Sequence, residues 1–562
     1  HIITHKKSLR GYNGSVNVSA ESPDGYTLSP FLTATTGKLS ASARYNHRYA
    51  ESPTNRGNLL REDLINQNSL GQTSEGSGKN RSQNISGELS YQLSSQDLVT
   101  ASYSHYNSSG INYFEQLTEQ YNAAGVITQS YLNLNNGNSK TGGQDISLNY
   151  EHSFKNNEQQ ILSVSINSTS STGISSSDFI LEPLLNYTGR VSTTNNEDRT
   201  REHALQADYV QPIGKQLLEL GLRSTFEESS SNYYYKNRDE ETGIFLLDSS
   251  MSNSFDYHQN IHAAYASMSL FMGKWSLRTG ARLEQTELDA NFRSSGTSVL
   301  KEYLNLFPNI TLSRSLKESG RISIAYNQRI DRPGLYSLDP YIDQTDPLNI
   351  SYGNPDLEPA TAHTLQLEFS TFIKGTSLNA NATHSFNNNS IEQVTTLGSD
   401  SVARTTFGNV GQNRNYGFTL NGNTTLYNKL TLSLNAGTNY VSYTSMLEGK
   451  PQTNEGFTYN LRGSVNYRFD KGWRMSGNLS YNSPNIMLQG SSSGYTWSSL
   501  SVNKQFLKDN KASISLSVRS PFREKRRNLH ETLNPSFYQL RESYSVIRQF
   551  SLAFNYRFGK LR

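Results

Sequence analysis

Apolar and polar residues alternate along most of this chain with a period of two. In "KLSASARYNHRY" the residues Leu39, Ala41, Ala43 and Tyr45 share one face, and Ser40, Ser42, Arg44 and Asn46 share the other. That is the pattern of a strand with one apolar and one wet side. It recurs as Ile146, Leu148, Tyr150 and Phe154 against Ser147, Asn149, Glu151 and Ser153, and as Leu218, Leu220 and Leu222 against Glu219 and Arg223. It returns near the C-terminus as Leu461, Val465, Tyr467 and Phe469 against Arg462, Ser464, Asn466 and Arg468. No comparable stretch has the helical period of about 3.6 residues.

Two kinds of connection alternate between these strands. One is tight, as in "TTGKL" at 35–39, "SSQDL" at 94–98, "PIGKQ" at 212–216, "FMGKW" at 271–275, "IKGTS" at 373–377 and "FDKGW" at 469–473. The other is long and polar, over 51–83, 107–141, 168–196, 231–254 and 334–357. Short turns at one end and long loops at the other predict an up-and-down antiparallel meander. Ten tight turns, with both termini on the same side, imply about 22 strands, the even number of a closed bacterial membrane barrel. Phe154, Phe271, Trp275, Phe372, Tyr427, Phe469, Trp473 and Phe506 all flank the tight turns. A soluble sandwich would concentrate its aromatics at strand centres, so this end-loading predicts a membrane interface.

Composition then makes sense. Only 34% of the 562 residues are hydrophobic and the mean hydropathy is −0.65. A disordered polar chain would be poor in aromatics, whereas this one has 34 Tyr and 23 Phe. An all-β protein with one wet face accommodates both facts. The 51 basic and 48 acidic residues are scattered, so no basic tract points to nucleic acid. The chain has no Cys, which excludes disulfides and thiolate metal sites. It also lacks a run of eighteen apolar residues and a signal peptide at His1.

Motifs with catalytic or metal-binding overtones fare poorly in a strand context. "GSSSG" at 490–494 matches G-x-S-x-G with Ser492 at the nucleophile position, but that chemistry needs a strand-to-helix elbow. His258 and His262 in "HQNIH" would share a metal on a helix. On a strand they stand about 13 Å apart. The expectation is a non-enzyme without cofactor. Recognition is expected in "RIDRPGLYSLDPYIDQTDP", residues 329–347, where Arg329, Asp331, Arg332, Tyr336, Tyr341 and Asp343 gather, and at Tyr234 within the triple Tyr233, Tyr234, Tyr235. A ligand- or partner-facing loop and a loop folded on itself through Asp-Pro turns and Arg–Asp pairs both fit that composition.

In the last strand, "RQFSLAFNYRFGK", the residues Phe550, Leu552, Phe554, Tyr556 and Phe558 share one face. It resembles the C-terminal signal strand read by the outer-membrane insertion machinery, although Gly559, Lys560, Leu561 and Arg562 follow the final aromatic.

Residues 321–370 resemble the barrel of TonB-dependent receptors, specifically the outer-membrane β-barrel family abundant in Bacteroidota. The matching pieces are Arg329, Arg332-Pro333, Asp346-Pro347, Gly353-Asn354-Pro355, Leu357 and Pro359, followed by an alternating strand. "IITHKKSLRGYNGS" resembles that family's junction between plug and barrel, with His5 interrupting the pattern. The domain expectation is therefore a plug-to-barrel remnant at 1–10 and a transmembrane barrel at 11–562, with the family's plug lying outside this chain. The resemblance implies an outer-membrane location and energy-coupled uptake of a nutrient ligand. The partners it implies are outer-membrane lipid, the insertion machinery, a plug domain, TonB or a surface lipoprotein, and no nucleic acid. The competing expectation is a barrel that serves as scaffold or accessory subunit, its lumen blocked by loops or a partner. A barrel of this width leaks unless something fills it, so function turns on the contents of the lumen.

Overall fold

The computed structural model describes residues 10–155, 157–317, 319–447 and 449–561. The expected junction at 1–10 therefore lies, apart from Arg10, outside the described residues. The alternating segments form a closed ring of 22 antiparallel strands. The ring closes where Gly11–Glu21 pairs with Gln549–Leu561, in register from Gly11 opposite Leu561 to Glu21 opposite Ser551. Closure leaves no open edge in the membrane and pairs the backbone groups that hydrocarbon could not solvate.

The alternation assigns the two faces. Leu89, Ile146, Ile166, Leu222, Leu367 and Val465 are exposed on the outside, forming the apolar band that meets lipid. Their neighbours in sequence line the lumen and bond to each other across strands. Asn379 donates to Glu368 at 2.6 Å, Asn421 to Asn379 at 3.5 Å, Asn460 to Asn435 at 3.0 Å, and Asn435 to Asn421. An amide carries both donors and an acceptor, so such a ladder satisfies itself around a wet interior.

The tight turns fall where the sequence places them, on one side of the barrel, eight of the ten lying wholly within the described residues. Gly214 and Gly273 each open a two-residue turn with φ of +62°, a left-handed conformation that glycine takes without a Cβ penalty. The girdle aromatics flank these turns, with Arg314 lying 5.0 Å over the Trp275 ring and Lys504 5.1 Å over that of Trp473.

The other side corrects the expectation of long loops. Residues 51–83, 107–141 and 168–196 mostly continue as paired strand, so Ile127–Phe154 runs for 28 residues and Asn157–Leu185 for 29. A tilted membrane crossing needs only about 9–11. These Ser-, Asn- and Gly-rich segments lose apolar alternation because both faces meet water, yet they inherit a hydrogen-bonding register from the embedded part below. Residues 231–254 likewise finish the strand Gln216–Arg238, add the short strand Phe245–Leu247, and start Asn253–Met272.

Around the closure point the wall is much lower. Tyr495–Phe506, Ala512–Arg519, Gln549–Leu561, Gly11–Glu21 and Gly25–Thr36 have 12, 8, 13, 11 and 12 residues. Above them the wall is completed by a hairpin, Lys525–Asn534 and Phe537–Val546. Its second strand pairs with the upper part of Leu39–Asp63, from Phe537 opposite Asp63 to Tyr544 opposite Arg56. Its first strand pairs with Gly490–Ser492. Ser492 is thus a ladder residue opposite His530 and Asn485, with no helix following it, so the G-x-S-x-G match has no elbow.

Candidate functional site

Segment 332–359, between the strands Arg321–Asp331 and Ala360–Ile373, crosses the mouth of the barrel as a strap. Its near end is pinned beside its own root. Leu338 and Leu357 pack with Tyr257, Leu288, Phe292 and Val299 in a buried cluster. Arg332 reaches Glu284 at 2.5 Å and the Thr286 hydroxyl at 2.9 Å, while Arg282 holds the other oxygen of Glu284 at 2.5 Å. Its far end docks on strands six to ten places away in the ring of 22, across the mouth. There Leu348 packs among Leu59, Leu70, Tyr131 and Leu181. Arg61 is buried and donates to the Leu348 carbonyl at 3.0 Å, to Asn349 Oδ1, and to Gln539 of the added hairpin at 3.0 Å.

The residues that carry the family resemblance fold this strap. Leu335–Leu338 forms a single helical turn, and Gly353 lies against it, its N–H donating to the Asp339 carbonyl at 2.7 Å. A Cβ at Gly353 would come within 2.8 Å of backbone atoms of Ser337 and Asp339, so a side chain there would force the strap open. Asn354 donates its N–H to the Ser337 carbonyl at 2.6 Å and its amide to the Phe407 carbonyl at 3.0 Å. Asp346 accepts from the Leu348 N–H at 3.0 Å and from the Asn349 amide at 2.9 Å, which turns the chain before the far anchor.

Other segments meet the strap. Asn349–Ser351 pairs in parallel with the strand Ala403–Leu426 from Ala403 to Thr405. Thr395 exchanges hydrogen bonds with Gln489 at 2.8 and 3.0 Å, and its carbonyl also accepts from Asn534 at 3.2 Å. The strap, the tip between the strands Thr376–Leu397 and Ala403–Leu426, and the hairpin at 525–546 together narrow the mouth.

A cavity of about 260 Å³ remains between the strap and the wall, lined among others by Tyr336, Tyr341, Asp343, Asp339, Tyr233 and Asn253. Asp339 accepts from Asn253 at 2.6 Å and from the Tyr341 N–H at 3.0 Å. Burial nevertheless pushes its carboxyl above the ordinary aspartate range. The Tyr341 hydroxyl donates to the Met251 carbonyl at 2.8 Å and is also pushed up by burial.

Of the expected site residues, the structure thus brings Tyr336, Tyr341 and Asp343 together. Arg329 and Asp331 stand apart and exposed on the strand before the strap, opposite Ala362 and Ala360. Arg332 is an anchor, and its partner is Glu284 rather than an aspartate of its own loop. Tyr234 points away, exposed, while Tyr233 and Tyr235 turn inward as period two requires. Arg61 and Asn253, which hold the strap, carry no signal in the sequence. A single Arg within "NLLRED" carries no local mark of a partner found 287 residues later.

The model of the outer membrane protein beta-barrel family matches residues 152–556. The chain belongs to that family. No curated protein sequence matches it. Among solved structures it resembles the ferripyoverdine receptor of the outer membrane of Pseudomonas aeruginosa, at 11% identity and TM-score 0.69, over 99% of this chain and 73% of that one. The FrpB iron transporter from Neisseria meningitidis gives 12% and 0.63, over 98% and 82%. The siderophore receptor PiuA from Acinetobacter baumannii gives 14% and 0.64, over 99% and 82%. At such identities the likeness is one of fold. Family and fold together make this family member an outer-membrane barrel.

Proposed function

We propose that the protein takes up a nutrient ligand across the outer membrane by energy coupling through TonB. The observation that supports this most is the mouth: a wide barrel is bridged by a strap that leaves a cavity lined by tyrosines and aspartates. Tyr336, Tyr341 and Asp343 are the contacts offered to the ligand. Coupling further requires a plug and a TonB-contacting segment, supplied from outside the described residues. The Phe550 to Phe558 strand, whose aromatic face points outward at the closure point, acts in this reading as the signal for the insertion machinery.

The test is accumulation of nutrients in cells producing the native protein, with and without TonB. Uptake that depends on both supports the reading. Uptake indifferent to TonB, or a deletion strain that accumulates every nutrient normally, overturns it. The same narrowed mouth favours the second reading, an accessory barrel blocked by its own loops. That reading predicts co-purification with a stable partner complex and no TonB-dependent phenotype.

A further inference from the structure

The chemistry of the cavity under the strap is one-sided. Its volume, about 260 Å³, suits one ring-sized unit rather than a whole ligand. Its charged lining consists of Asp339 and Asp343, and no Lys or Arg is among the described residues that line it. An anionic group entering here would lose its water and find no cation to replace it.

The aromatics offer edges and one open face. Tyr233 and Tyr341 pack edge to face with centroids 6.0 Å apart. Tyr336 touches Phe407 only edge-on at 5.7 Å and remains 71% exposed. The two carboxylates differ in what they have left to give. Both Asp339 oxygens are engaged, by Asn253 and by the Tyr341 N–H. One Asp343 oxygen accepts from the Thr345 N–H at 3.0 Å, and the other has no hydrogen-bond partner among the described residues. The Asn196 amide already donates to Asp198 at 2.8 Å and accepts from Ser231 at 3.0 Å, which leaves it one N–H and one lone pair. A single free carboxylate oxygen, amides and an open aromatic face match the hydroxyls and the C–H face of a pyranose.

Resting on the uptake reading above, we propose that this cavity is a subsite for one neutral sugar ring of the ligand. Tyr336 stacks on the ring and Asp343 accepts from its hydroxyls. The experiment is saturation-transfer NMR on the full chain in detergent with methyl glycosides of glucose, galactose, mannose and N-acetylglucosamine, alongside choline and citrate. At least one glycoside is expected to bind. Tyr336→Ala and Asp343→Ala are each expected to weaken it about tenfold, the worth of one good contact. Asp331→Ala, outside the cavity, serves as control and leaves binding unchanged. Tyr336 and Asp343 are exposed, and heat-modifiable migration on unboiled gels verifies that each variant keeps its barrel. Binding of choline or citrate with no glycoside bound overturns the proposal, as does glycoside binding that survives both variants, or none at all. TonB dependence of uptake is read separately, so a failed uptake reading with intact glycoside binding is distinguishable from a failed subsite.

Discussion

The two sides of the barrel wall are built differently. On the tall side, strands such as Ile127–Phe154 and Asn157–Leu185 leave the membrane and simply continue, so each strand supplies its own upper wall. On the low side Ala512–Arg519 stops after 8 residues, and the upper wall comes from a hairpin whose partner, Leu39–Asp63, lies more than 450 residues earlier in the chain. The tall side therefore depends on neighbouring strands, and the low side on one long-range pairing. That pairing also carries the strap, because Gln539 and the strap share Arg61.

The strongest way to break this comparison is to excise 525–546 and join the ends with a short Gly-Ser linker. Membrane strands remain, so heat-modifiable migration persists. The mouth loses a wall and part of its strap anchor, and conductance in planar bilayers rises sharply. Trimming 122–126, the tip between Asp97–Tyr121 and Ile127–Phe154, leaves conductance near that of the parent. Equal behaviour of the two deletions would show that the hairpin does not complete the wall.

A sharper comparison uses the anchors. Arg61→Ala strands the Leu348 carbonyl, Asn349 and Gln539 at once, a cost of about 3 kcal/mol to the far end. Hydrogen exchange speeds up over 348–351 while 335–338 keeps its protection. Arg332→Ala does the reverse and costs less, about 2 kcal/mol, since Glu284 keeps Arg282. If both variants loosen the whole strap together, the ends are not independent.

The smallest effect is a pH dependence. Burial raises the Asp339 carboxyl in the docked strap above its undocked value. The docked state therefore holds its proton more tightly, and docking is strongest below the ordinary aspartate range. It weakens as pH rises through the raised value. Hydrogen exchange over 336–341, corrected for intrinsic rates, is expected to show opening becoming easier over that acidic window. Asp339→Asn removes the slope, and a slope of opposite sign would refute the assignment of burial as the cause.

The embedded barrel was legible because its physics is local. Leu218, Leu220 and Leu222 announce their face by alternation, and "PIGKQ" announces its turn by a glycine that must go left-handed. Legibility ends where water wets both faces. Residues 107–141 read as loop because pairing between two solvated faces leaves no apolar trace. The strap was half legible: Gly353, Asn354, Pro355 and Leu357 stood out as a family marker, but their work, closing onto the Leu335–Leu338 turn, needed the structure.

The sequence by itself determined strand number, turn side and lipid-facing residues, since each follows from a two-residue period and the bilayer's thickness. Only the tertiary structure decided that the strap spans the mouth, that Arg61 receives it, and that a distant hairpin completes the low wall. Those outcomes depend on which strands curve to face one another across a closed ring, and no local pattern encodes that distance.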